Sequence, residues 1–180
     1  MQSDQRTSLA RRIYEVSHLR GRFVLRSGTV SDEYFDKYLF EADPALLRDI
    51  AEAMRAMIPD GVEALAGLEM GGIPIATVLS QITGIPALFV RKKAKEYGTC
   101  KLAEGRSVNA CRMVIVEDVI TSGGQIVASA KELRALGADI QCVIGVIDRE
   151  AGGVEKLKAE GLELRALFSM SELKRAASES

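Results

Sequence analysis

Hydrophobic positions along this chain recur at two spacings, and the spacings alternate. From Asp4 to Leu19, Leu9, Ile13 and Val16 share one face of a helix, with His18 at its end in a capping or surface role. Phe23-Val24-Leu25 and the run Tyr34 to Phe40 read as strands around a turn at 27–31. Asp43-Pro44 is an N-cap followed by proline at the first helical position, and it opens a helix to about Met57 with Leu46, Leu47, Ile50 and Met54 inward. Beyond it, short apolar runs alternate with amphipathic ones. Strands are expected at Val62–Leu68, Pro86–Val90, Val114 onward, Ile140–Ile147 and, at the edge, Leu162–Phe168. Helices are expected from Gly72 to about Ile82, from Gln125 to Leu136, over Val154–Ala159 and after Ser171. Continuous branched-aliphatic strands separated by helices predict an α/β fold, one parallel sheet covered on both faces and joined by right-handed crossovers. No repeat, low-complexity tract or interdomain linker interrupts the pattern.

The most informative stretch is Val114-Ile115-Val116-Glu117-Asp118-Val119-Ile120-Thr121-Ser122-Gly123-Gly124-Gln125. A buried strand leads to two adjacent carboxylates, then to a small, hydroxylated turn that opens a helix. Ligands of open α/β sheets gather at the carboxyl ends of strands. A Thr-Ser-Gly-Gly turn at a helix start offers backbone N–H groups and a positive dipole end to a phosphate. Two carboxylates beside a phosphate cradle must serve another part of the same ligand, either vicinal hydroxyls or a Mg²⁺ bridging hydroxyl and phosphate oxygens. A phosphorylated sugar satisfies both demands.

A second stretch, Arg91 to Lys101, carries five cations against one anion. By itself it fits a solvated face; following a strand at the same sheet end, with glycines at 98 and 105, it also fits a mobile cover for a polyanion. Four of the nine Phe and Tyr residues lie between Tyr34 and Phe40. They suit either a small apolar subdomain or a wall for a planar ring.

Composition narrows the class. With 180 residues, 47% hydrophobic and 27% charged, the chain fits one globular domain with a sizeable core. A net charge of −1 gives no support for general nucleic-acid binding, and no segment approaches a membrane span. Cys100, Cys111 and Cys142 are odd in number and lack metal-type spacing, which points to reduced thiols and a cytoplasmic protein; Cys111 and Cys142 read as core residues and Cys100 lies in a polar stretch. The first residues, Met1 to Thr7, contain no apolar run of the secretory kind. His18 is the one histidine, so nucleophilic schemes built on histidine have little to stand on.

The 114–125 stretch resembles the phosphoribosyl pyrophosphate (PRPP) signature of the type I phosphoribosyltransferases. Arg91-Lys92-x-Ala94-Lys95-x-Tyr97-Gly98-Thr99, followed by Leu102-Ala103-Glu104-Gly105, resembles the mobile catalytic loop of the orotate phosphoribosyltransferases. Leu25-Arg26-Ser27-Gly28 with Ser31 to Asp36, Glu69 to Pro74, and Asp148-Arg149-Glu150 are similar to that family's other site segments, so the likeness runs from about residue 20 to 150. The resemblance implies a type I phosphoribosyltransferase fold: a central parallel sheet flanked by helices, with a small N-terminal hood over about 1–42 and a PRPP-binding core over about 43–170.

It also implies roles. PRPP would be held by Arg91, Lys92, Lys95, Tyr97, Glu117, Asp118, Val119, Ile120, Thr121, Ser122, Gly123, Gly124 and Gln125, with Lys95, Asp118 and Glu117 catalytic. Orotate would meet Thr121, Arg149, Arg26, Tyr34 and Phe35. Read without the family, Arg149 is a surface residue; with it, its fork suits a planar carboxylate. Mg²⁺ would arrive mainly on PRPP, with Glu117 and Asp118 as candidate protein ligands. The loop would act across a homodimer with shared sites. Three positions depart from the usual pattern: Arg26 stands for lysine, Tyr97 for the histidine many members carry, and Gly71 for the lysine of some. The expected reaction is phosphoribosyl transfer to N1 of orotate in pyrimidine biosynthesis. A purine or other nucleobase transferase shares the signature without pairing Arg149 with this loop. A PRPP-binding regulator would keep the cradle, lose the cationic loop and usually append a nucleic-acid-binding segment.

Overall fold

The computed structural model describes residues 3–25, 28–93 and 101–179. Arg26, Lys95, Tyr97 and Cys100 lie outside the described residues. α1 (Ser3–Ser17) buries Leu9, Ala10 and Ile13, and stops short of Leu19 because the chain turns into a strand at His18. β1 (His18–Val24) pairs antiparallel with β2 (Val30–Phe35).

The next element corrects the expected strand. Only Tyr34 and Phe35 of the aromatic run are extended; Tyr38, Leu39 and Phe40 belong to α2 (Lys37–Ala42). Asp36 turns the chain by accepting a hydrogen bond from the Tyr38 N–H at 3.1 Å, an N-cap that overrides the β preference of the aromatics. Phe40 is then fully buried in the core, worth about 2–3 kcal/mol. α3 (Pro44–Met54) begins as anticipated, with the Asp43 carboxylate accepting from Ala45 and Leu46 N–H at 2.9 Å, and its last turn tightens to a 3-10 helix over Arg55–Met57.

β3 (Ala64–Leu68), α4 (Gly72–Thr83), β4 (Ala87–Val90), β6 (Arg112–Ile120), α5 (Gly124–Ala135), β7 (Asp139–Asp148), α6 (Gly153–Ala159), β8 (Leu164–Ser169) and α7 (Met170–Ser178) follow the expected alternation within a few residues. The charged stretch hides one further strand, β5 (Ala103–Glu104), which returns antiparallel along β4. The sheet order is β5-β4-β3-β6-β7-β8, parallel except at β5.

Side chains alternate along the central strands between two apolar layers. Val114, Val116, Ile144 and Val146 join α1, α3, α4 and α7; Met113, Ile115 and Val143 join α5 and α6. Cys142 and Cys111 are buried, one in each layer.

The order reverses at β3. The chain goes from β3 outward to β4, then returns to lay β6 against the other side of β3. That reversal opens a crevice at the carboxyl ends of β3 and β6, the place where open α/β sheets bind ligands.

Candidate active site

β6 does not end at its acids; Glu117 is in register with Gly145 of β7, and the strand runs on through Asp118 to Ile120, whose partner is Asp148. Both carboxylates are buried, Asp118 completely. The Glu117 carboxylate accepts from the Asp118 N–H at 3.2 Å, and the Val119 N–H donates to Asp118 Oδ1.

α2 reaches into this pair. Lys37, the first residue of α2, bonds Asp118 Oδ2 through its ammonium group. Glu41, one turn later, buries Oε1 without a donor among the described residues. Burial, then the adjacent Asp118 carboxylate, pushes Glu41 up to about 9. An oxygen that finds no donor is best served by carrying the proton itself. Burial also drives Glu117 well above the usual carboxylate range, with Asp118 reinforcing it. Burial opposes charge on Asp118 too, but the neighbouring Glu117, the Lys37 ammonium bonded to it and Glu41 outweigh that effect, and Asp118 is held below its ordinary value.

The loop after β3 is fitted to the same spot. A Cβ on Gly71 would overlap the Asp118 carboxylate and stand 2.7 Å from Glu41 Oε1. Glycine at 71 is therefore a requirement of close approach, and a lysine there could not coexist with this arrangement.

After Ile120 the chain forms the turn 121–123 and enters α5. Gly123, just before α5, is left-handed at φ 69°, a conformation glycine adopts readily, and the first-turn amides of a helix have no partner within it. Thr121, Ser122 and Gln125 are exposed at this helix start. Lys156 of α6 flanks it, its Nζ 3.4 Å from where a Cβ on Gly124 would stand. A cationic group thus stands close to the start of α5.

Arg149 is tied to the same strand end, its N–H donating to Ile120 O at 2.8 Å. Its guanidinium lies 5.8 Å from the centre of the Phe35 ring. Tyr34 and Phe35 line a cavity of about 90 Å³ with Arg149, and Tyr34 stacks obliquely on Phe23 at 5.5 Å. His18 opens β1 rather than ending the helix; its ring stacks on Tyr14 at 4.7 Å, and Nε2 meets Glu33 at 2.8 Å.

At the end of β4, the Lys92 N–H donates to the Glu69 carboxylate at 3.0 Å, and Arg91 Nε is buried without a partner among the described residues. Arg91 and Lys92 therefore stand beside the 69–72 loop, across the crevice from 117–125.

Comparison with known proteins agrees with this architecture. Residues 40–164 match the phosphoribosyl transferase domain family. An orotate phosphoribosyltransferase of Nocardioides sp. is 53% identical over 92% of this chain and 93% of its own length. The chain belongs to the orotate phosphoribosyltransferase family. A second member, from the archaeon Methanocella arvoryzae, is 42% identical over 85% of this chain and 87% of its own. Among solved structures, the Mycobacterium tuberculosis orotate phosphoribosyltransferase in complex with inorganic phosphate has a TM-score of 0.85 at 29% identity, covering 96% of this chain and 99% of that one. The same enzyme in complex with PRPP has a TM-score of 0.81 at 28% identity, covering 94% and 99%.

Within this orotate phosphoribosyltransferase-family fold, the residues expected at the site fall into groups. Glu117 to Gln125 and Arg149 converge on one strand end, Tyr34 and Phe35 approach from β2, and Arg91 and Lys92 lie opposite. Arg26, Lys95 and Tyr97 are outside the described residues. Lys37, Glu41 and Lys156 were not anticipated. The signal for the first two was available: an Asp36 cap followed by Lys37 and Glu41 four apart. Aromatic neighbours disguised it as a strand.

Proposed function

We propose that this chain transfers the phosphoribosyl group of PRPP to N1 of orotate, forming orotidine 5′-monophosphate and pyrophosphate. The observation that carries this reading is the junction of the buried Glu117–Asp118 pair with the turn 121–123 and the start of α5 at the switch point of the sheet. Asp118 and Glu117 would take the ribose hydroxyls, and Asp118 would stabilise the sugar as its anomeric carbon becomes cationic. Glu117, driven toward its neutral form by burial, suits a hydrogen bond donated to a ribose oxygen. The 121–125 amides and hydroxyls, with Lys156 alongside, would hold the 5′-phosphate. Arg149 and the Phe35 and Tyr34 rings would hold the pyrimidine, whose carboxylate matches the guanidinium fork.

Arg91 and Lys92 would draw the departing pyrophosphate, joined by Lys95 and Tyr97 on the family likeness; Arg26 would join the orotate side on the same ground. Positioning and electrostatics are sufficient, with no covalent nucleophile. The oxygens of Glu117 and Asp118 suit Mg²⁺, but Lys37 occupies one Asp118 oxygen and Glu117 favours its proton, so the ion would ride mainly on PRPP itself. Bound there, it neutralises charge on the pyrophosphate.

We further read the chain as one catalytic unit, hood about 1–42 and core about 43–170, acting as a cytoplasmic homodimer whose cationic loop serves the neighbouring site. Among the described residues, no helix is long and apolar enough to cross a membrane. The test is optical: orotate absorbance should fall only when PRPP and Mg²⁺ are both supplied. Consumption of adenine, guanine or hypoxanthine in place of orotate would overturn the assignment.

A further inference from the structure

Lys37 and Glu41 leave the same face of α2 because they are four residues apart. That face meets Asp118. Lys37 Nζ is bonded to Oδ2, and Glu41 Oε1 lies near the same oxygen across the space that Gly71 leaves free. Behind the acid, the Val119 N–H holds Oδ1. Asp118 is fully buried, while the Lys37 side chain keeps about a third of its surface exposed, 32%. Among the described residues, Lys37 is the cation bonded to this group of three carboxylates. The two partners come from different parts of the chain, 81 residues apart, so the bond also sets how the hood sits over the core.

We propose that Lys37 is a positioning residue for phosphoribosyl transfer, holding the Asp118 carboxylate toward the ribose and balancing its charge against the two acids packed around it. The inference rests on reading 117–125 as the PRPP site. Lys37 acts through Asp118 and need not touch the sugar. A buried carboxylate that loses the ammonium group bonded to it is no longer held in place, and a displaced Asp118 removes the group that stabilises the cationic sugar in the transition state. Ground-state grip on PRPP depends mostly on phosphate contacts elsewhere, so the loss should fall on turnover.

The experiment compares wild type, Lys37→Met, Lys37→Arg, Glu41→Gln and Lys37→Met/Glu41→Gln in steady-state assays, with thermal unfolding measured in parallel. Lys37→Met should lower kcat about ten- to a hundred-fold with KM for PRPP changed less than about three-fold. Lys37→Arg should recover much of the loss. In the Glu41→Gln background, Lys37→Met should lower kcat by a similar factor, because Asp118 still loses the ammonium group that holds it. A purely structural ion pair would lower the unfolding temperature without this kcat-specific pattern. Turnover of Lys37→Met within two-fold of wild type would overturn the inference. Should Lys37→Met fail to fold, Glu41→Gln is compared with the double variant, and equal kcat in that pair overturns it as well. A wild-type enzyme that does not use PRPP would sink the underlying reading instead, so the two failures are distinct.

Discussion

Arg149 leaves the sheet one residue after Asp148, its backbone held by Ile120 and its guanidinium facing the Phe35 ring. On the proposed reading it pairs with orotate's carboxylate through two parallel bonds, which a lysine cannot reproduce. Arg149→Lys should therefore raise KM for orotate at least about ten-fold, near 1–2 kcal/mol, while KM for PRPP stays close to wild type. Initial rates over both substrates decide it, and a matched rise in both constants would detach Arg149 from the pyrimidine. Glu41 supplies a different test, one of pH. Burial and the nearby Asp118 carboxylate raise it from 4.5 to about 9. The unfolded chain releases that proton near 4.5, so the folded state holds more protons between those values. Stability linked to Glu41 is complete below the lower value and is lost as pH rises toward the upper one. Unfolding temperatures of the wild type should thus decline from about pH 5 to 9 more steeply than those of Glu41→Gln, and parallel curves would mean that Glu41 ionises as an ordinary carboxylate. At this scale Asp118 and Glu117 were legible, because an acid pair after a branched-aliphatic run has few structural explanations. Lys37 and Glu41 were not. Their meaning depends on Asp118, which is distant in sequence, and on the absent side chain at Gly71.

Elements were legible where caps and periods agreed. Asp43-Pro44 fixed the start of α3 to the residue, and the left-handed Gly123 marked the entry to α5. The miss at Tyr34–Phe40 came from letting aromatic content outvote a single capping aspartate, and β5 was missed because two residues of ladder leave no period to detect. The last helix illustrates how local chemistry and tertiary contact combine. Ser169 and Glu172 form a reciprocal capping box at the start of α7, and Arg6 of α1 bonds both Glu172 at 3.0 Å and Leu167 O at 2.6 Å while lying 4.5 Å from the centre of the Phe168 ring. Burial opposes charge on Glu172, but the Ser169 N–H and the Arg6 guanidinium outweigh it and hold its carboxyl low. A lowered acid contributes stability above its unfolded value near 4.5, and that contribution fades as pH falls below it. Ser169→Ala should cost about 1 kcal/mol in denaturant unfolding at neutral pH. Glu172→Gln should remove part of the acid limb of the stability curve, and an unchanged acid limb would show that the box carries no charge-linked stability.

The whole molecule was legible in outline because branched-aliphatic strands alternating with helices admit few arrangements, and the switch point follows once β6 lies beside β3. The crevice gathers acids on one wall and the backbone of Arg91 and Lys92 on the other, and on the proposed reading a neighbouring subunit supplies the rest of the cationic stretch. On the proposed reading pyrophosphate leaves as a polyanion, and Lys95 should matter most as that charge develops. Lys95→Ala should then cut kcat about a hundred-fold or more with a modest change in PRPP affinity. Asp118→Asn disables the other half of the chemistry by removing the charge beside the ribose. If each site draws its acids from one subunit and its loop from the other, a mixed dimer contains one site with both defects and one with neither. Co-refolding the two inactive variants in equal amounts gives mixed dimers as about half of the population on random pairing, each with one intact site, so about a quarter of wild-type activity should return. Sites built within a single chain would each retain one defect in every dimer, and no activity would return at any mixing ratio.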